Sequence, residues 1–196
     1  MHALIIVDIQ YDFLPGGALP VPQGDMIIPV VNRIQQDFNL VVATQDWHPA
    51  GHKSFASVHA GKKPFEQITV SGLEQVLWPD HCIQGSDGAR LSHALDSRRI
   101  EAIFRKGTDP DIDSYSGFYD NGRRKTTGLA GYLREREVKA VSVCGLAADY
   151  CVYFTAMDAL AEGFDACILE DAVRPIDATA YATKKAIFLR HGGRLV

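Results

Sequence analysis

The feature that most narrows the fold is a series of short, unbroken apolar runs, each set off from the next by a longer stretch of mixed polarity. Ala3–Val7 (ALIIV), Leu40–Thr44 (LVVAT), Ala102–Arg105 (AIFR), Ala140–Cys144 (AVSVC) and Asp165–Leu169 (DACIL) are too short for buried helices and read as strands. Arg194–Val196 begins a last strand just where the chain stops. The intervening spacing predicts helices over Asp25–Asp37, capped by Asp25 with Met26, Ile27, Val30, Val31 and Ile34 on one face, and over Thr127–Arg136, capped by Thr127. Two more run from Ala148 to Glu162, stopping at Gly163, and from Asp177 to His191, stopping at Gly192-Gly193. Residues 45–88, rich in His, Pro, Gly and Lys, read as irregular excursions with room for a short helix. Strands without polar alternation are covered on both faces, and the helices between them supply the cover. The expectation is an α/β fold in one domain, 1–196, with a mostly parallel sheet and right-handed crossovers.

In such sheets ligands gather beyond the carboxyl ends of the strands, near the point where strand order reverses. Asp8 follows the first apolar run, Asp46 and His48 the second, and Lys106 the third. Cys151 follows the fourth, across Gly145-Leu146-Ala147, in the first turn of a helix. An acid, a pair of metal-ligand types, a cation and a thiol thus reach one edge of the sheet. A helix N-terminus and a neighbouring Lys106 favour a thiolate at Cys151. Asp8 opposes it as an anion but is able to take the thiol proton as a general base, which suits nucleophilic attack on a carbonyl. The competing reading is a small buried cysteine, which is how Cys144 and Cys167 read in mid-strand.

Asp46 and His48 lie two apart in extended backbone and so point to one side. His52 follows shortly after, and His81 sits in Trp78-Pro79-Asp80-His81. Mixed oxygen and nitrogen ligands suit zinc, with iron(II) or manganese(II) as alternatives, better than calcium or copper(I). His2, His59, His93 and His191 have no such setting and read as surface or structural. Phe13, Trp47, Trp78, Tyr115 and Phe118 fall in loops expected to cover this edge, either as satellite packing or as a flat slot for a planar ring.

Composition removes other classes. A net charge of −4 offers no basic face for nucleic acid or an anionic membrane, and Arg123-Arg124-Lys125 reads as a solvated loop. No apolar run approaches the roughly 20 residues of a membrane span. The N-terminus does not read as a signal peptide, because it has no basic leader and Asp8 interrupts the apolar stretch. Four irregularly spaced cysteines do not make a disulfide framework or a CxxC zinc site, so free thiols and a cytoplasmic setting are expected. No GxGxxG follows the first strand, which leaves nucleotide binding poorly supported.

Five segments in order carry a resemblance: Ala3–Phe13 (ALIIVDIQYDF), Val42–Phe55 (VATQDWHPAGHKSF), Trp78–Gly85 (WPDHCIQG), Phe104–Phe118 (FRKGTDPDIDSYSGF) and Val143–Ala159 (VCGLAADYCVYFTAMDA). Together they resemble the nicotinamidase branch of the isochorismatase-like cysteine hydrolases. The resemblance implies a three-layer Rossmann-like sandwich on a six-stranded sheet, with a metal-binding loop region around 45–88. It implies Cys151 as nucleophile, Asp8 as base, Lys106 as supporting cation, and an oxyanion hole from the Ala147 and Cys151 amides beside a cis peptide before Ala147. It implies one divalent ion on Asp46, His48 and His81, with His52 either a fourth ligand, a loop brace or the holder of a metal-bound water. Phe13, Trp78 and Tyr115 match positions that enclose the ring of a small aromatic amide. Cysteine hydrolases of the same fold acting on other amide, carbamoyl or ureido substrates, a metal-bound water as nucleophile, and a non-catalytic binding module are the competing readings. A homo-oligomer is left open.

Overall fold

The computed structural model describes all 196 residues. Its centre is a six-stranded sheet in the order β5-β2-β1-β6-β7-β8, where β1 is His2–Val7, β2 Leu40–Asp46, β5 Ile100–Lys106, β6 Ala140–Leu146, β7 Asp165–Arg174 and β8 Arg194–Leu195. Every neighbouring pair is parallel. The expected α/β sandwich is therefore present, and its sheet is wholly parallel.

The two-residue alternation of β1 sets the layers. Ala3, Ile5 and Val7 enter one core with Leu129, Leu133, Val152 and Phe188, beneath α2 (Leu129–Glu135), α3 (Tyr153–Ala161) and α4 (Ala178–Arg190). Leu4 and Ile6 enter the other core with Phe13, Ile27 and Val31, under α1 (Ile28–Ile34) and loops. All five of these β1 side chains are fully buried. Each such aliphatic side chain contributes about 1.5–3 kcal/mol on leaving water.

The chain leaves β1 toward β2 and β5, then crosses back to β6 on the other side of β1. Strand order thus reverses between β1 and β6. The two strands approach closely there, because a β-carbon on Gly145 would lie 2.0 Å from the Val7 carbonyl oxygen. Only glycine fits, and its φ of 114° is one that glycine adopts freely.

Three local readings need correction. The helix expected over Asp25–Asp37 is a short α1 between two 3-10 turns, Gly24–Ile27 and Gln35–Asp37. Pro29 lacks an amide hydrogen and fits only in a first turn, so the α-helix starts beside it. Asp25 caps nothing, and Met26 is exposed. Thr127 accepts the Leu129 N–H at 3.2 Å through Oγ1, but Gly128 takes the cap position at φ 92°. The irregular stretch 45–88 contains an antiparallel hairpin, β3 (Gln67–Val70) and β4 (Leu73–Val76), in place of a helix beyond single 3-10 turns. Ser71 and Gly72 both have positive φ, which closes a tight two-residue turn matched to the twist of its strands.

Candidate active site

Asp8 ends β1 and Cys151 follows β6, so the two side chains flank the reversal of strand order. Asp8 sits at φ 48°, a left-handed conformation unusual for a residue other than glycine, and its side chain is fully buried. Such backbone persists only where its surroundings hold it. Here Thr44 Oγ1 donates to Asp8 Oδ1 at 2.6 Å.

Lys106, from the end of β5, sits at the centre of the cluster. Its three N–H groups are donated to Asp46 Oδ1 at 2.7 Å, the Ser114 carbonyl at 3.0 Å and Cys151 Sγ at 3.3 Å. Its Nζ also stands 2.9 Å from Asp8 Oδ2, so four acceptors compete for its three N–H groups. Asp8 Oδ2 is buried, paired by charge, and has no other partner in the protein. Burial alone would lower the Lys106 pKa, yet Asp46 and Asp8 outweigh it and hold it well above the usual range.

Cys151 sits under opposing influences. Burial pushes its thiol well above the ordinary range, Lys106 opposes this, and Asp8 and Asp46 reinforce it. The helix N-terminus works with Lys106 in favouring the anion, and an Asp8 oxygen lies within 4.8 Å of the sulfur, where it is able to take the proton. That terminus is itself unusual: Ala148–Val152 is a π-helical turn in which Val152 N–H reaches back to the Ala147 carbonyl at 3.1 Å. Buried Asp149 anchors the turn by accepting the Ile176 and Asp177 N–H groups, each at 2.9 Å. The Leu146–Ala147 peptide is cis, as the resemblance implied. The Ala147 N–H has no acceptor elsewhere in the chain.

The second group lies alongside. Asp46, His48 and His81 are buried, with ligand atoms all within 4.8 Å of one another. A carbonyl only accepts, so its partner nitrogen must carry the hydrogen. His48 Nδ1 donates to Gly107 O at 3.0 Å and His81 Nδ1 to Pro79 O at 2.8 Å. In each neutral ring that leaves the Nε2 lone pair facing Asp46 Oδ2, at 3.4 Å and 3.7 Å. The buried His48 Nε2 has no partner in the protein. Two lone pairs and a carboxylate converging in this way fit a divalent cation. Burial would raise the Asp46 pKa, but the Lys106 ammonium holds it well below the carboxylate range.

His52 is differently arranged. Its Nδ1 accepts the Ser54 N–H at 3.1 Å and lies 2.7 Å from Ser54 Oγ, so the neutral ring carries its hydrogen on Nε2. The other histidines bond away from the cluster: His2 to Ser142, His59 to the Lys53 carbonyl, His93 to Tyr11 and His191 to the Ile187 carbonyl.

A cavity opens on Cys151, Asp46 and His81, and Phe13, Trp78 and Tyr115 are in its wall. Trp78 Nε1 donates to Tyr115 Oη at 3.3 Å. Two other loop aromatics do not belong: Trp47 lies under the Arg105 guanidinium at 3.9 Å, and Phe118 is sealed in the core. Tyr150, edge-on to Trp78 with ring centroids 4.8 Å apart, and Asp113 line the cavity and were missed. Tyr150 was legible in principle, one residue before Cys151; Asp113 stands in no motif.

The fold and this cluster define a class of protein. The isochorismatase domain matches residues 2–190, and the chain belongs to that family. Among its relatives, the nicotinamidase of Escherichia coli strain K12 is 48% identical over 180 residues, covering 90% of this chain and 84% of that one. The structure of an Acinetobacter baumanii nicotinamidase/pyrazinamidase superposes with a TM-score of 0.97 at 43% identity, covering 100% of this chain and 95% of that one. The pyrazinamidase of Pyrococcus horikoshii, solved in complex with zinc, superposes with a TM-score of 0.82 at 41% identity, covering 100% and 98%.

Proposed function

We propose that this chain is a nicotinamidase, hydrolysing nicotinamide to nicotinate and ammonia through a cysteine thioester. The observation that carries the reading is Cys151 Sγ at 3.3 Å from Lys106 Nζ, in the wall of a cavity shared with Asp46 and His81. The likeness to the Escherichia coli nicotinamidase supports the substrate.

The Cys151 thiol gives its proton to Asp8 Oδ2, the oxygen of that carboxylate not bonded by Thr44, and the sulfur attacks the carboxamide carbon. The Ala147 and Cys151 amides receive the negative charge on the carbonyl oxygen. Asp8 returns the proton to the leaving nitrogen, the C–N bond breaks, and ammonia departs. Asp8 then takes a proton from water, whose oxygen attacks the thioester and releases the carboxylic acid and the thiol. Lys106 stabilises the sulfur anion and keeps Asp8 and Asp46 apart in charge. Asp46, His48 and His81 would hold one divalent ion, zinc before iron(II) or manganese(II). Bound there, the ion supplies a Lewis-acid contact for the pyridine nitrogen. Phe13, Trp78 and Tyr115 enclose the ring.

The reading treats residues 1–196 as one hydrolase domain, with 45–88 as its metal-binding loop region, acting on a small molecule in the cytoplasm. No helix is long and apolar enough to cross a membrane, and all four cysteines are free and buried. The test is ammonia release from nicotinamide by the purified protein, with and without prior chelation. Rapid release that chelation abolishes and zinc restores is expected. No release from nicotinamide, with turnover of a carbamoyl or ureido compound, would move the protein to another branch of the family.

A further inference from the structure

Phe65 is at odds with its own place in the chain. Lys63-Pro64-Phe65-Glu66 makes a four-residue turn, closed where the Glu66 N–H donates to the Lys63 carbonyl at 3.3 Å. Proline in second place and a positive φ in third mark a type II turn, whose third place asks for glycine. Phenylalanine holds it instead, at φ 72°. Among the non-glycine residues of positive φ it alone is aromatic, and for a bulky side chain such backbone is strained. The residue is also 58% exposed. Neither backbone nor solvent favours a phenyl group there, so the gain comes from what the ring touches.

That ring touches Trp78. The two stand edge to face, with centroids 5.9 Å apart and planes at 86°, a favoured geometry for an aromatic pair. Trp78 is in the cavity wall and only 4% exposed. Tyr150 and Tyr115 also meet it edge-on, with centroids at 4.8 Å and 6.2 Å, and share the cavity wall with it. Phe65 is not part of that wall and packs on the indole from outside the cavity. The turn is registered on the same segment. Phe65 N–H donates to the Leu77 carbonyl at 2.6 Å, and the Leu77 N–H to the Glu66 carbonyl at 2.8 Å. The Glu66 carboxylate ties the turn down by accepting the Lys63 N–H at 3.0 Å and Lys62 Nζ at 3.1 Å. On β4, Gln75 Nε2 donates to Asp113 Oδ2 at 3.0 Å, which joins the hairpin to the cavity.

We infer that Phe65 is a positioning residue: its ring, held on unfavourable backbone, braces the Trp78 indole from outside and so fixes one wall of the ring-binding cavity. The consequence for substrate rests on the nicotinamidase reading; the consequence for the indole does not.

The experiment uses the full chain in a Trp47→Phe background, where Trp78 is the only indole. Phe65→Ala, Phe65→Gly and Phe65→Tyr are compared with that background for indole emission, nicotinamide kinetics and urea midpoint. Phe65→Ala and Phe65→Gly both remove the ring, but only Phe65→Gly relieves the backbone, so it is expected to unfold at higher urea than Phe65→Ala. In both, Trp78 emission is expected to move to longer wavelength and its quenching by acrylamide to rise. KM is expected to rise about 3- to 10-fold in both, the scale of one lost aromatic contact, with kcat unchanged because binding alone is affected. Phe65→Tyr keeps the ring and is expected to match the background throughout. If the turn mattered only as backbone, Phe65→Gly would restore KM. That result, unchanged Trp78 emission in Phe65→Ala and Phe65→Gly, or a loss confined to kcat would overturn the inference. Emission that changes as expected in a protein unable to hydrolyse nicotinamide would uphold the brace and reject only the proposed substrate.

Discussion

The Gly107 carbonyl takes the Nδ1–H of His48 at 3.0 Å, across a gap that one methyl group would close. A β-carbon on Gly107 would lie 2.4 Å from His48 Cε1, and the backbone there, at φ 64°, already favours glycine. Gly107→Ala must therefore push the imidazole out of line or displace the end of β5. We expect it to lower zinc affinity at least about 10-fold, as loss of ligand orientation does. Metal analysis after dialysis is the check, and full zinc content would show that this carbonyl does not set the ring.

Cys151→Ala should reduce turnover by about 10⁴-fold or more, the scale of losing a nucleophile. Cys144→Ala removes a sulfur sealed in the core and should leave turnover within a few-fold. Steady-state ammonia release measures both. Near-normal activity in Cys151→Ala would defeat the thioester route and favour a water nucleophile.

Acid sets one limit on activity. Burial raises the Asp8 pKa above its ordinary 3.8, Lys106 opposing and Asp46 adding to the shift. A base works only when deprotonated, so kcat/KM should fall as pH drops through a value above the ordinary carboxylate one. A pH–rate profile flat down to pH 4 would separate Asp8 from the limiting proton transfer.

Lys106 compensates two buried carboxylates at once. Lys106→Met leaves Asp8 and Asp46 without their cation and should destabilise the fold by about 3–5 kcal/mol, as breaking a buried pair does. The sign with pH follows from the raised pKa. Stability from a cation whose pKa rises on folding is fully present below the unfolded value, here 10.5, and is lost as pH climbs through the folded one. The gap in urea midpoint between wild type and Lys106→Met should not narrow from pH 6 to pH 9, because the uncompensated carboxylates of the variant cost more as they ionise, and should close only in stronger alkali. A gap that narrows across neutral pH would contradict the arrangement.

Much of this was legible in the chain because burial on both faces writes a parallel strand as an unbroken apolar run. The polar residue ending each run was therefore conspicuous, and Asp8, Asp46, Lys106 and Cys151 all met as their positions implied. The hairpin was also written, in the alternation of QITV-SG-LEQV, but a His- and Pro-rich setting masked its two-residue period. Asp113 was not legible, since its place depends on a glutamine far away in sequence. Nor was the burial of Cys151: a helix terminus is visible in sequence, whereas the depth that pushes the thiol upward is a tertiary property. Helix boundaries failed where Pro29 and Gly128 overrode cap residues of the preferred type.

The base and the thiol hang from adjacent central strands, whereas the aromatic walls arrive on separate loops and on the hairpin end at Trp78. Cutting and choosing are thus mounted on different parts of the molecule. Randomising residues 65–78 and selecting on bulkier amides should yield variants with new preferences and an unaltered chemical step, making this scaffold a natural starting point for evolving other small-amide hydrolases.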